Sequence, residues 1–425
     1  MQRDGSFKVY GSTFHLGGKY KPIRPLGRGA YGVVCAATHV ETNAKVAIKK
    51  ITPMAATVLD AKHTLREIRL LRYLGRHENV VTLKDVVIKD DDLYIVMELL
   101  DSDLHRILTS SQPLTEAHFK HFMFQILRAV AFIHKNGVLH RDLKPSNLLV
   151  TKNCDLRITD FGLSRLAPEG GEHQLMTEHV VTRWYRPPEL MLSADGNYTA
   201  AVDVWSVGCI FAELLGRTPL FPGKNFMHQL CLIFDVIGTP PEAELAYIRS
   251  EQAISFMKSL QPKPRVPFAT LYPFAGPDAV DLLERMLVFD PMQRLGVEDA
   301  LGHAYFDSVR DQYEEPDPVL PPTFEFTFEY EDLSNEDLRR LIHEEARSFR
   351  AEREAARRRR RERMAARARA KREKAATAAA AAGAGSSPIK RTPPTHTPER
   401  RPVSRPRGRP TASRSGSNLK KRSQS

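Results

Sequence analysis

The chain has 425 residues, of which 42% are hydrophobic and 27% charged, and carries a formal net charge of +12. That length suffices for two packed bodies and a tail, while four cysteines without CxxC spacing exclude a disulfide frame or a zinc site. No run has the apolar length of a signal peptide or a membrane span, the alanines around 378–382 being too few, so no membrane partner is expected.

The charge is unevenly placed. Residues 350–425 hold 24 basic and 5 acidic side chains, whereas the first 349 hold 39 basic and 46 acidic. An acidic folded body carrying a basic tail calls for two separate explanations.

After an N-terminal extension over 1–19, the segment Tyr20 to Leu26 leads into Gly27-Arg28-Gly29-Ala30-Tyr31-Gly32-Val33-Val34. A GxGxxG turn also opens dinucleotide-binding helices, but here Val33 to Thr38 continues as strand. Glycines at a hairpin tip let backbone N–H groups approach phosphate oxygens. Val46-Ala47-Ile48-Lys49 reads as a buried strand ending in lysine, which alone would be a snorkelling strand end. Residues 63–71 have the spacing of an amphipathic helix carrying Glu67, placed so that Glu67 would hold the Lys49 ammonium against nucleotide phosphates. The strand predicted over 93–97 ends at Glu98-Leu99-Leu100, a hinge whose backbone would bond adenine, with Asp103 near the ribose.

A helical pattern over 125–134 precedes His140-Arg141-Asp142-Leu143-Lys144-Pro145-Ser146-Asn147, and a short strand over 148–150 follows it. An HRDxKxxN loop in that setting suits phosphoryl transfer. Asp142 would accept the proton of an attacking hydroxyl, Lys144 would neutralise charge on the transferred group, and Asn147 would hold a metal ion. Thirteen residues later Asp160-Phe161-Gly162 follows a strand, and Asp160 is a hard oxygen ligand suited to Mg²⁺. Each motif alone could be a polar turn; the order in which they occur is what identifies them.

Together these residues resemble a eukaryotic protein kinase over 20–306, with no catalytic position missing. The resemblance implies an α+β, bilobal protein kinase fold: a β-rich N-lobe at about 20–97, a hinge at 98–101 and a mainly helical C-lobe at 102–306. It implies ATP and Mg²⁺ as cofactors. Leu26, Gly27, Arg28, Gly29, Ala30, Tyr31, Gly32, Val33, Val34 and Lys49 would line the nucleotide, Met97, Glu98, Leu100 and Asp103 its base and ribose, and Asn147 and Asp160 the metal.

Lys144, two residues after Asp142, is the serine/threonine form of the loop, and residues 177–189 resemble the activation segment of ERK-like MAP kinases. That likeness implies protein substrates with Ser/Thr-Pro sites, a proline pocket from Val180, Arg183 and Arg186, and a Thr182 bonded to Asp142 and Lys144. The chain departs from the family at Thr177-Glu178-His179, where a histidine stands in place of tyrosine. Activation by phosphorylation of Thr177 alone is therefore expected, the added ~1.5 to 2 negative charges being clamped by Arg66, Arg141 and Arg165.

The same family pattern extends further. The segment 203–209 resembles a buried helix supporting the catalytic loop, Glu189 is expected to pair with Arg294, and an insert is expected over about 222–267. An extension over 307–349 would return to the N-lobe, with Ser334 and Asp337 starting a helix. Glu314, Glu315 and Asp317 sit where the family binds basic docking peptides of substrates, phosphatases or an upstream kinase; a solvated acidic loop would read the same way.

The tail is of low complexity. Residues 347–374 suit either a long solvated helix or a disordered arm, and disorder is expected after Gly383. Ser387-Pro388, Thr392-Pro393 and Thr397-Pro398 are sites of the kind assigned to the substrate. Residues 405–410 resemble an AT-hook core, which implies a weak DNA or RNA contact; nuclear import or nonspecific anion binding fits the same composition. Cytoplasm and nucleus are the expected locations.

Overall fold

A computed structural model describes residues 5–29, 32–166, 182–192, 199–245, 248, 250–313, 320 and 326–383. The chain forms one unit over 1–358 and a second over 359–425.

The first unit begins with a hairpin that the sequence reading left unassigned, β1 (Phe7–Val9) and β2 (Ser12–Phe14). Its turn places Tyr10 and Gly11 at positive φ, the geometry that matches the twist of a two-residue hairpin. Five antiparallel strands follow: β3 (Tyr20–Gly29), β4 (Gly32–His39), β5 (Lys45–Ile51), β6 (Leu83–Lys89) and β7 (Asp92–Glu98). They are ordered β3-β4-β5-β7-β6. Side chains alternate across this sheet, as the period of two requires. Val33, Cys35, Val46, Ile48, Tyr94 and Val96 pack beneath Phe7 and Phe14 of the hairpin, while Ile51, Ile95 and Met97 face the other core. Gly32 is needed for the β3–β4 tip: at φ +131° a Cβ there would lie 2.0 Å from the Lys50 carbonyl oxygen.

Against that second face packs α1 (Val58–Leu74), capped by the Thr57 hydroxyl, which accepts from the Asp60 N–H at 3.1 Å. The helical part contains α2 (Leu104–Thr109), α3 (Glu116–Lys135), α4 (Glu189–Leu192) and α5 (Ala201–Gly216). Helix α5 is apolar almost all round and buried, as expected of a core helix. Short strands lie at the junction: β8 (Ser102–Asp103), β9 (Val138–Leu139), β10 (Leu148–Val150), β11 (Leu156–Ile158) and β12 (Arg165–Leu166). The β-rich and helical lobes expected of the chain are thus both formed.

The four cysteines are free, and burial pushes the Cys35 thiol up to about 12. The last helix runs Asn335–Gly383, so residues 347–374 take the helical alternative. Ser334 and Asp337 start it: the Ser334 hydroxyl donates to the Asp337 carboxylate at 2.6 Å and accepts from its N–H at 3.2 Å. In the first unit Leu338, Ile342, Ala346 and Phe349 form its buried stripe; in the second, residues 359–377 are exposed on every side. Among the described residues no helix is long and apolar enough to cross a membrane.

Candidate active site

The loop after β9 is held from below by α5. Asp203 is fully buried; its carboxylate accepts the backbone N–H of His140 at 2.8 Å and of Arg141 at 2.7 Å, and meets His134 Nε2 at 2.8 Å. Burial would raise the Asp203 pKa, but His134, His140 and the Arg141 N–H outweigh it and hold it below the usual carboxylate range. These bonds keep Arg141 at φ +67°, a strained conformation for a long side chain. The next residue is buried. Asp142 there receives the Lys144 ammonium at 2.7 Å and the Asn147 amide at 3.1 Å. Burial raises the Asp142 pKa, and Lys144 only partly offsets it.

Opposite, β5 and α1 bring Lys49 to both carboxylate oxygens of Glu67 at 2.8 Å, and to Asp160 at 3.4 Å. Burial disfavours the Lys49 ammonium, yet the two carboxylates hold it above the ordinary lysine range. Asp160, at φ +68°, is likewise penalised by burial, but Lys49, Lys144 and His140 leave its pKa lowered. Phe161 behind it is buried edge-on to the His140 ring, with centroids 5.0 Å apart.

Between these groups and the hinge lies a cleft of about 300 Å³. Leu26, Gly27, Gly29, Gly32, Val34, Met97, Glu98, Leu100 and Asp103 all line it, as the sequence suggested. So do Ala47, Val81, Leu149 and Thr159, which the sequence reading missed. Ala47 was findable, because it lies two positions before Lys49 on a strand and shares its face; Leu149 likewise points away from buried Leu148 and Val150. The Glu98 side chain turns to Thr82 N–H at 2.7 Å and Arg157 at 2.9 Å, while its backbone N–H donates to the Thr82 carbonyl at 3.0 Å. Asp103 also caps α2, accepting from the Arg106 N–H at 2.9 Å, and Arg106 reaches across to the Leu26 carbonyl at 3.1 Å.

The donor set fits a nucleotide and Mg²⁺. Added Cβ atoms on Gly27 and Gly29 would meet nothing within 4 Å, so both glycines border open space. Among the described residues no three His, Cys, Asp or Glu side chains gather into a metal site. One carboxylate and an amide, Asp160 and Asn147, are what Mg²⁺ uses when phosphates and water complete its shell.

Other expected residues meet a different outcome. Arg66, Arg141 and Arg165 surround His63, and burial together with those three cations lowers the His63 pKa to about 3. Arg66, however, is already engaged: its Nε and Nη2 donate to Glu329 at 2.5 and 2.7 Å. Thr182 is exposed and does not bond Asp142 or Lys144; the Lys144 ammonium rests on Asp142 instead. Arg183 begins a short turn over Arg183–Tyr185, whose Tyr185 hydroxyl donates to Glu213 at 2.5 Å, and Arg186 follows it. Glu189 and Arg294 do pair, at 2.6 and 3.0 Å. Ala30, Tyr31, Thr177, Val180, Glu314, Glu315, Asp317 and the stretch 405–410 lie outside the described residues.

With that geometry established, the comparisons with known proteins are specific. The protein kinase domain profile matches residues 20–306. Mitogen-activated protein kinase 6 of Arabidopsis thaliana is 49% identical over 352 residues, covering 81% of this chain and 87% of that protein. Mitogen-activated protein kinase 5 of the same plant is 51% identical over 349 residues, covering 81% and 91%. Extracellular signal-regulated kinase 1 of Dictyostelium discoideum is 49% identical over 353 residues, covering 82% and 66%.

Proposed function

The chain belongs to the protein kinases of mitogen-activated type, and from that premise we propose that it is a proline-directed serine/threonine kinase switched by phosphorylation of Thr177 alone. The observation that supports the catalytic part is that Lys49, Glu67, Asp160 and Asn147 line one cleft, with Asn147 and Lys144 both bonded to Asp142 beside it.

ATP would supply the phosphoryl group, and Mg²⁺, when bound, would neutralise charge on it. Lys49, kept cationic and aimed by Glu67, binds the phosphates. Asp142 orients the substrate hydroxyl and takes its proton at a carboxylate oxygen, while Lys144 compensates negative charge beside it. Asn147 fixes Asp142 through its side-chain amide, which donates to both the Asp142 backbone carbonyl at 2.9 Å and its carboxylate. Asp160 and Asn147 would hold the metal. Arg183 and Arg186 shape the pocket for proline after the target residue, and protein partners with basic docking segments bind at Glu314, Glu315 and Asp317.

Thr177 is the single switch because His179 cannot supply the second phosphate that a Thr-x-Tyr pair provides. The test is a degenerate Ser/Thr peptide library phosphorylated by purified protein with ATP and Mg²⁺, followed by mass-spectrometric mapping of the enzyme. Enrichment of proline directly after the target and phosphate at Thr177 are expected. A library without proline preference would remove the specificity, and full activity of Thr177→Ala would remove the switch.

A further inference from the structure

Four basic residues lie along one face of α1, Lys62, Arg66, Arg69 and Arg72, and all four engage the C-terminal extension. The Lys62 ammonium donates to the carbonyls of Glu329 and Glu331 at 3.0 and 3.2 Å. Arg69 places its guanidinium 5.0 Å from the Phe328 ring centroid, and Arg69 and Arg72 both pair with Glu345. Arg66 makes the most confined contact. It is fully buried, it grips both oxygens of Glu329, and its remaining Nη1 donates to the Gly162 carbonyl at 2.5 Å.

Arg66 therefore joins three things: the extension, the glycine two residues after Asp160, and the helix turn that carries Glu67. Glu67 meanwhile sits on Lys49 with both oxygens at 2.8 Å. The turn that carries Glu67 thus has its neighbouring Arg66 held by a carboxylate from the extension. A guanidinium without an anion in this buried place would be costly, so something must fill it for α1 to pack as it does.

We propose that Glu329 is a positioning residue that supplies this anion from within the chain, so that α1 holds Glu67 on Lys49 before Thr177 is phosphorylated. The inference rests on the kinase reading above and deepens its regulation. Thr177 phosphate, seeking the same guanidinium, then takes over a place that Glu329 already keeps. Glu329 does not touch the nucleotide or substrate; it acts through Arg66 and α1.

The test compares Glu329→Gln with the parent chain in two states: Thr177→Ala protein, and protein with phosphothreonine installed at 177 during translation. Glutamine keeps the size and removes the charge, and melting temperatures check that each variant folds. In the Thr177→Ala state, Glu329→Gln should lower kcat roughly tenfold, the scale of a lost charge-assisted bond, with KM for a Ser/Thr-Pro protein substrate unchanged. In the phosphothreonine state the loss should largely disappear, because phosphate satisfies Arg66. An equal loss in both states would reduce Glu329 to a docking contact and overturn the proposal. So would an unchanged or raised kcat in the Thr177→Ala state, or a Thr177→Ala parent without any activity. Inactivity of the parent in both states would instead sink the kinase reading itself.

Discussion

Asp142 carries two opposed demands: it must be ionised to take a proton, yet it is buried where ionisation is disfavoured. Its raised pKa means that the folded state binds this proton more tightly than the unfolded chain does. The advantage to folding is full below the unfolded value of ~3.9 and is lost as pH rises through the folded value. At pH 7 the carboxylate is a stability cost accepted for chemistry. Asp142→Asn should accordingly lower kcat by roughly 10²- to 10⁴-fold while leaving the melting temperature unchanged or higher. Lys144 is what keeps the cost tolerable, since its ammonium opposes the effect of burial. In Lys144→Met the Asp142 pKa must rise further, so the acid limb of a kcat–pH profile should move to higher pH. A limb that stays in place, or moves to lower pH, would show that Asp142 is not the group titrating.

At the scale of elements, one buried pair joins α4 to the start of α5. Arg294 bonds Glu189 with two nitrogens and also donates to the carbonyls of Ala201 and Val288, both side chains being almost without exposure. Glu189→Ala would leave a buried guanidinium unpaired and should cost about 3–5 kcal/mol in urea unfolding, the penalty typical of breaking such a pair. A cost below 1 kcal/mol would mean that water reaches Arg294. This pair stands 105 positions apart, and it was expected from the family resemblance rather than from any local signal. The strands and α1 were legible because alternation and helical spacing are local signals, and the catalytic groups because each sits in a short motif. The hairpin of β1 and β2 was missed, although the Tyr10-Gly11 turn between apolar residues was a usable sign. Glu329 could not have been found that way. It lies 263 residues from Arg66, in a stretch whose acidic residues look alike, and only packing selects one of them. Thr182 departs from the family tie because it is exposed and the Lys144 ammonium rests on Asp142.

The whole chain divides its charge as it divides its structure. Within the first unit, the C-terminal helix up to Arg358 is fastened to the small lobe by Leu338, Ile342, Ala346 and Phe349, a stripe with helical spacing. Each large apolar member is worth ~1.5–3 kcal/mol when fully buried. Ion pairs follow the same line: Arg339 with Asp91 at 2.6 Å, Glu345 with Arg69 and Arg72, and Arg350 and Arg353 near Asp85 at 3.7 and 3.6 Å. Asp85 is buried, which would raise its pKa, but Lys19 foremost and then Arg353 and Arg350 hold it down. Its contribution to stability is therefore present above the unfolded value of ~3.9 and lost as pH falls through the folded value. Over residues 359–377 the helix buries no side chain. Ending the chain after residue 358 should leave the melting temperature at pH 7 unchanged within about 2 °C, whereas ending it after residue 334 should lower it by roughly 5 °C or more. The chain ending after residue 334 should also show a depressed kcat, because Glu345 is then lost from Arg69 and Arg72 on the helix that carries Glu67. Equal melting temperatures for the two truncations would mean that the apolar stripe adds nothing to the stability of the first unit.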